Sequence, residues 1–375
     1  MIDQMRPPRT QLPALTGLRA VAAYSVLLAH CIAATYASNQ FALGMAMRLA
    51  YFGMSLFFVL SGFVIDYNYG DRLQSSRGLG LFFLARFARL YPLYAIVVLL
   101  DIPKKLYVAS AEILIAYTTM TQSWVNMEEV FVPYTWSIST EWFFYVAFAV
   151  IVPFLALISR PTKVFIIYLV VTVVLFFCVF LGRATLTGLF APWLDHGPAS
   201  SLFWLWLTYY SPCIRIFEFG VGLLVSKIYK SGKPKINLPL TVLAAIWCIG
   251  IIFAGGSLTN TIAGNYLSNF VYAPALAVIV LYVCRANRVA KIFAMPAFVF
   301  LGEISYSVYL LQVYGRTAAI SLIGDTIFGL LLTLFFVSVI ATLSFFLIEI
   351  PAKFVIKGVF GRMLPGPQKS PALDV

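Results

Sequence analysis

Long apolar runs alternate with short polar connections along the whole chain. A hydrocarbon core about 30 Å thick requires about 20 helical residues, because each residue advances an α-helix by about 1.5 Å. An apolar stretch at 108–121 is too short to cross and contains Glu112, so we expect it to be interfacial or re-entrant. The pattern predicts ten spans, near residues 14–37, 47–67, 81–100, 137–157, 164–182, 202–226, 238–256, 266–284, 297–321 and 326–348.

The basic residues between these runs are distributed unevenly. If the N-terminus is cytoplasmic, the connections on the outer side contain only Arg48, Lys104, Lys105 and Arg183, and most of the other basic residues lie on the cytoplasmic side. Cytoplasmic loops of membrane proteins are enriched in Lys and Arg. The distribution therefore predicts that both termini are cytoplasmic.

The composition supports a membrane protein. Of the 375 residues, 62% are hydrophobic and 11% are charged, whereas a soluble domain carries about 25% charged residues. Loop charge explains the net charge of +12, so no nucleic-acid partner is expected. The five cysteines lack metal-ligand or redox spacing, and we interpret them as small apolar fillers. The predicted fold class is all-α, a polytopic membrane helix bundle of about ten transmembrane helices.

Two ionisable residues lie inside the first predicted span. Arg19 and His30 are eleven residues apart, close to three helical turns, so they share one helix face. Ionisable groups within a membrane are costly and therefore indicate function. An imidazole can act as a general base near neutral pH. The alternative for His30 is an interhelical hydrogen bond.

Charged side chains also open the third and fourth spans. Arg86 and Arg89 are neighbours on one helix face at the cytoplasmic boundary, where they could bind phosphate groups bidentately or anchor the helix to lipid headgroups. Glu141 follows Ser137 and Ser139 at the outer start of the fourth span. It could cap that helix, or meet His30 in the outer half of the membrane and orient the imidazole.

Several uncharged polar residues are candidates for lining a cavity or stabilising an oxyanion. For two of them the alternative is close helix packing or a hydrogen bond between helices, and for Ser137 and Ser139 it is capping of the fourth span. The chain contains no metal-ligand spacing, phosphate-binding loop or GxSxG motif, so no metal is expected. The cavity candidates are Ser61, Ser137, Ser139 and Tyr306.

These segments, in this order, resemble the acyltransferase 3 family of membrane acyltransferases that modify bacterial surface carbohydrates. Any one match would be weak, but together they extend over nearly the whole chain. The matching segments are Arg19 with His30 (Arg/Lys-X10-His), FFVLSGFVI at 57–65, the RxxR segment at 86–92, WSISTEW at 136–142 and GEISYSVYLLQ at 302–312.

The resemblance implies transfer of an acyl group, expected to be acetyl, from cytoplasmic acyl-CoA to a hydroxyl of a cell-surface or exported carbohydrate or glycolipid. His30 with Arg19 would be the essential pair, and Glu141 would lie in the catalytic site. Arg86, Arg89 and Arg19 would bind the donor. The implied co-substrate is acyl-CoA, expected to be acetyl-CoA, with no covalent cofactor. The implied location is the bacterial inner membrane, with several crossings.

The family pattern also implies a domain organisation and leaves alternatives open. Residues 1–350 would form an acyltransferase 3 type transmembrane domain, and 351–375 a short cytoplasmic tail with a disordered end. Gln312 stands where the family's late signature commonly has His. The transmembrane unit is expected to be self-sufficient, to form a homo-oligomer, or to rely on a separate partner protein. An acyl-histidine intermediate, a transporter or flippase of a lipid-linked sugar or acyl donor, and a non-catalytic scaffold are the alternatives.

Overall fold

The computed structural model describes residues 12–71, 73, 76–101, 111–124, 133–182, 205–232, 236–254, 270–285, 287–324 and 326–363. Within these ranges every regular element is a helix, which confirms the predicted all-α class. Lipid offers the backbone no hydrogen-bond partners, and a helix satisfies its own N–H and C=O groups. Three basic residues assigned to the outer connections, Lys104, Lys105 and Arg183, lie outside the described residues.

Fourteen α-helices are labelled here in chain order. Two π-helical segments adjoin these helices, since Trp206–Tyr210 precedes α7 and Phe345–Glu349 links α13 to α14. The helices are α1 Pro13–Thr35, α2 Gln40–Tyr69, α3 Ser76–Asp101, α4 Ala111–Thr118, α5 Trp136–Ala156, α6 Pro161–Leu181, α7 Pro212–Lys230, α8 Leu238–Phe253, α9 Ala273–Val283, α10 Arg288–Phe293, α11 Pro296–Glu303, α12 Ser305–Ile323, α13 Ile327–Ser344 and α14 Ile350–Met363.

Among the described residues, six helical stretches are long and apolar enough to cross a membrane: α1, α2, α3, α5, α6 and the continuous run Ile327–Ile356. The pair α11 and α12 is a seventh candidate, bent by 68°. The apolar helices α8 and α9 are shorter. A helix overlaps each of the ten predicted positions, but ten complete crossings and the orientation of the termini remain predictions. The short stretch near 108–121 contains only the eight-residue helix α4 among its described residues.

Close contact between α2 and α7 holds the centre of the bundle together. A Cβ atom added at Gly62 would overlap the carbonyl oxygen of Phe219, and one added at Gly222 would overlap the carbonyl oxygen of Val59. Small residues at such positions let two helix backbones approach each other in a membrane. Gly62 therefore lets α2 and α7 pack closely.

A buried ion pair inside α7 fixes the neighbouring π-helical turn. Arg215 Nη1 lies 3.0 Å from Glu218 Oε2, and Ser55 donates a hydrogen bond to the same carboxylate. Arg215 Nε donates to the carbonyl oxygen of Tyr209 at 2.7 Å, and its guanidinium carbon lies 4.6 Å from the centroid of the Tyr209 ring. This internal ion pair holds the aromatic turn in place.

The predicted span 297–321 is broken rather than continuous. Ile304 separates α11 from α12 and caps α12 without a side-chain hydrogen bond. Just before the break, a Cβ at Gly302 would overlap the carbonyl oxygen of Thr16, so α11 lies directly against α1. The predicted span therefore corresponds to a bent pair of helices, and packing against α1 accounts for the direction of α11.

The predicted end of the membrane domain falls within a helix. The segment Phe345–Glu349 continues into α14, which extends to Met363. The domain boundary at residue 350 therefore remains a prediction. The remaining tail, 364–375, lies outside the described residues.

Candidate active site

A cavity of about 510 Å³ lies at the N-terminal end of α1. Four basic and two acidic side chains line it, the acidic ones being Glu303 and Glu349, so positive charge predominates. Arg86 Nη2 donates to the Tyr69 hydroxyl at 3.0 Å, and the guanidinium carbon lies 5.1 Å from the centroid of that ring. We call this the basic cavity, defined by Arg19, Arg86, Arg89 and Lys353.

The structure adds Glu349 and Lys353 to the residues that sequence analysis singled out. Glu349 is buried, lines the basic cavity and accepts hydrogen bonds from Ser307 at 2.5 Å and from Lys353 at 3.1 Å. The π-helical segment that ends at Glu349 turns both side chains toward the cavity. The two residues are spaced i,i+4 at the end of an apolar run, and this spacing is the sequence signal that could have identified them as candidates.

A smaller cavity of about 40 Å³ adjoins the basic cavity. We call it the central cavity, defined by Arg19, Ser61, Glu141 and Ser305. Glu141 accepts hydrogen bonds from Tyr145 at 2.5 Å and from Ser61 at 3.3 Å. The N-terminus of α5 has Thr135 as its cap residue, with no side-chain hydrogen bond. Glu141 therefore does not cap α5, and its carboxylate lies in the same cavity as the Arg19 guanidinium.

Two further candidates line the central cavity but already have hydrogen-bond partners. The Ser137 hydroxyl donates to the Tyr309 hydroxyl at 2.8 Å. The Tyr306 hydroxyl donates to the carbonyl oxygen of Leu90 at 2.5 Å. Because both hydroxyl hydrogens are already donated to other protein groups, the two side chains connect α12 to α5 and to α3.

Ser139, the remaining candidate, lies away from all three cavities described here. Its hydroxyl is 2.6 Å from that of Ser123, and it accepts a hydrogen bond from the Ser123 backbone N–H at 3.1 Å. Ser139 is buried. Its geometry is that of a structural residue that joins α5 to the turn Gln122–Trp124.

A third cavity, of about 310 Å³, lies beside the C-terminal half of α1. We call it the histidine cavity, defined by His30, Gln312 and Arg316. His30 is exposed to it. Among the residues that line it, Tyr134 has a pKa raised by burial and by the Asp101 carboxylate, so its phenol stays neutral. One wall is aromatic and comprises Tyr134, Trp136, Tyr209 and Tyr210.

Gln312 determines which nitrogen of His30 is available. Its side-chain Nε2 donates to the carbonyl oxygen of Tyr309 at 2.8 Å, so its Oε1 is the atom that faces His30 Nδ1, at 2.9 Å. An amide oxygen can only accept, so Nδ1 must carry the hydrogen. The lone pair of the neutral imidazole then lies on Nε2. His30 and Glu141 line different cavities, and Gln312 occupies the orienting position expected for Glu141.

The three cavities follow one another along α1. Arg19 lines both the basic and central cavities, and Met54 and Tyr309 line both the central and histidine cavities. The structure thus brings Arg19, Arg86 and Arg89 together at one end and places His30 at the other. Among the described residues, no group of three or more His, Cys, Asp or Glu side chains could hold a metal ion.

Comparison with known proteins gives a consistent result. Residues 12–350 match the family model described as an acyltransferase domain, Acyl_transf_3. The acyltransferase MdmB of Streptomyces mycarofaciens is 26% identical over 242 residues, which cover 60% of each chain. A Staphylococcus aureus (strain COL) protein, provisionally named as an O-acetyltransferase, is 25% identical over 335 residues, which cover 80% of this chain and 50% of that protein.

A shorter match links the chain to a protein named for the picA locus of Rhizobium radiobacter. That protein is 40% identical over 96 residues, which cover 25% of this chain and 45% of the relative. The matches thus span about half of the length of these curated relatives. No solved structure gives a significant match.

Proposed function

Because the chain belongs to the acyltransferase 3 family, whose model spans residues 12–350, we propose that it is a membrane O-acyltransferase. It moves an acyl group, expected to be acetyl, from cytoplasmic acyl-CoA to a hydroxyl of a cell-surface or exported carbohydrate. The observation that carries this proposal is the series of three cavities, with four cations at one end and His30 at the other.

The proposed topology has ten crossings and cytoplasmic termini in a bacterial inner membrane. Helices at all ten predicted positions and the uneven basic residues support it. The basic cavity then faces the cytoplasm and the histidine cavity the outer side. A fluorescent protein fused to the C-terminus should fluoresce, and alkaline phosphatase fused there should be inactive. Phosphatase activity would contradict the orientation.

The basic cavity is the proposed donor site. The diphosphate and ribose phosphate of CoA are anionic, and guanidinium groups bind phosphate through paired hydrogen bonds. Arg86 and Arg89 project from one face of α3, and Arg19 and Lys353 approach from α1 and α14. The donor's acyl arm would extend from there through the central cavity toward His30.

The proposed chemistry is a direct transfer. His30 Nε2 accepts the proton of the acceptor hydroxyl as that oxygen bonds to the thioester carbon. The carbon–sulfur bond then breaks, and the sulfur takes the proton from the imidazolium. The products are the O-acylated acceptor and CoA thiol. Gln312 holds the ring by its Nδ1–H, and Glu141 balances the charge of Arg19 in the central cavity.

Replacing His30 with alanine tests this function. Loss of a general base costs about 10²- to 10⁴-fold in rate. Acyl transfer from acetyl-CoA in membrane vesicles should fall by that factor in His30→Ala and stay at the parent rate in Thr317→Ala. Thr317 lines the same cavity and bonds only to its own helix, so it controls for cavity shape.

Two results would contradict the proposal. One is a folded His30→Ala protein that transfers acyl groups at the parent rate. The other is movement of a lipid-linked sugar across proteoliposomes without any acyl donor, which a transporter predicts.

A further inference from the structure

The central cavity contains two buried donors that have no acceptor. Ser305 is 0% exposed, and its Oγ has no hydrogen-bond partner within the described part of the chain. The same is true of Arg19 Nε. Both residues line this cavity. A buried polar group without a partner is unfavourable, so two such donors on residues that line one cavity indicate a site for an acceptor atom.

The position of Ser305 strengthens this interpretation. It is the first residue of α12, directly after the break at Ile304. The first backbone N–H groups of a helix have no partner within the helix, and the positive end of the helix dipole lies there. Ile304 supplies no side-chain cap. The hydroxyl of Ser305 and the start of α12 therefore favour the same kind of group, an oxygen with a lone pair.

The distance from His30 excludes the reacting thioester as this group. Ser305 and Gln312 lie seven residues apart on α12, which corresponds to about 10 Å along the helix axis. Gln312 is the residue that contacts His30. An acyl group that reacts at His30 therefore leaves a more distant part of the donor beside Ser305.

The cavity also limits what this part of the donor can be. At about 40 Å³ it admits neither a nucleotide nor a sugar ring. The Arg19 guanidinium and the Glu141 carboxylate both line it and balance each other, so the cavity offers no net positive charge to an anionic group. A neutral carbonyl satisfies both conditions. The arm of an acyl-CoA is built like a short peptide, and it carries amide carbonyls within about 10 Å of its thioester.

We propose that the central cavity binds an amide carbonyl of the donor's phosphopantetheine arm, with Ser305 Oγ–H and Arg19 Nε–H as the donors. This inference rests on the proposed function and specifies the class of donor. Thioesters with an amide-containing arm would be accepted, and acyl donors without such amides would be poor substrates.

Calorimetric titration of the purified full chain tests the proposal. Two probes are used: acetyl-CoA, and adenosine 3′,5′-bisphosphate, which has phosphates but no arm. Because one neutral hydrogen bond is lost, Ser305→Ala should bind acetyl-CoA about 2- to 13-fold more weakly. Its affinity for the bisphosphate should match the parent. Ser321→Ala, on the same helix but away from the cavities, should bind both probes as the parent does.

A stability measurement separates a ligand site from a structural serine. Replacing a buried hydroxyl that lacks a partner should raise the thermal midpoint of the unliganded protein or leave it unchanged. A structural serine would lower it. If Ser305→Ala does not fold, Ser305→Cys, whose S–H is a weaker donor, should show the same selective loss of acetyl-CoA affinity.

The outcomes distinguish this inference from the proposed function. If the parent binds no acetyl-CoA, the proposed function fails. If the parent binds it and the Ser305 variant binds it equally well, the inference is overturned and the function stands. Equal loss of affinity for both probes would also overturn the inference, because the nucleotide half has no reason to contact Ser305.

Discussion

Replacing Gln312 with methionine would remove the oxygen that holds His30 while nearly preserving side-chain volume. Gln312 is 2% exposed, so water cannot readily substitute for its amide. The hydrogen bond to His30 Nδ1, at 2.9 Å, stabilises a ring that becomes positively charged during transfer. Hydrogen bonds to charged groups contribute about 1.5–3 kcal/mol, which corresponds to a fall in kcat of about 10- to 150-fold.

Initial rates of thiol release from acetyl-CoA, in membrane vesicles that contain the acceptor, provide the assay. We expect Gln312→Met to lower kcat and to leave the KM for acetyl-CoA unchanged, because the phosphates bind in the basic cavity. Gln312→Glu retains an oxygen acceptor and should retain more activity than Gln312→Met. Val313→Ala changes the same cavity without touching the imidazole contact and serves as the control.

One outcome would refute the reasoning about the tautomer. If folded Gln312→Met keeps the parent kcat, the hydrogen bond to Nδ1 does not position the catalytic ring. A rise in the KM for acetyl-CoA at constant kcat would also refute it, since Gln312 would then act in donor binding.

Two further predictions concern the donor site and the helix packing. Arg86→Ala and Arg89→Ala should each weaken acetyl-CoA binding about tenfold or more in a titration. Arg77→Ala, on the same helix but outside the basic cavity, should bind acetyl-CoA as the parent does. Unchanged affinity in the Arg86 and Arg89 variants would exclude the phosphate site. Gly222→Ala should destabilise the protein by about 1–3 kcal/mol in thermal unfolding, because its Cβ would overlap α2. Gly250→Ala meets nothing within 4 Å and should be neutral or stabilising, so equal midpoints for the two variants would contradict the packing model.

The apolar pattern was sufficient to locate helices but not their ends or bends. The helix α2 begins at Gln40, seven residues before the predicted span, because Asn39 caps it by accepting a hydrogen bond from the N–H of Ala42. Apolar periodicity does not register a capping residue. The break at Ile304 is equally invisible, since contact between Gly302 and α1, rather than local composition, sets the direction of α11.

The sequence predicted candidate site residues but not their partners. Depth in the membrane follows from position along a span, whereas the rotation of each helix follows from its packing. His30 and Glu141 were therefore assigned to one half of the membrane, but they line different cavities. Lys353 was counted as a tail residue, and the π-helical segment before it brings its side chain to the basic cavity.

The narrowness of the central cavity has a consequence for the energised membrane. Under the proposed topology, the two larger cavities open to opposite sides, and a wide passage between them would dissipate the proton gradient. The space of about 40 Å³ that separates them admits only a few water molecules, and a bound acyl arm would displace these. The constriction would let an acyl group reach the outer side while the membrane stays sealed to ions.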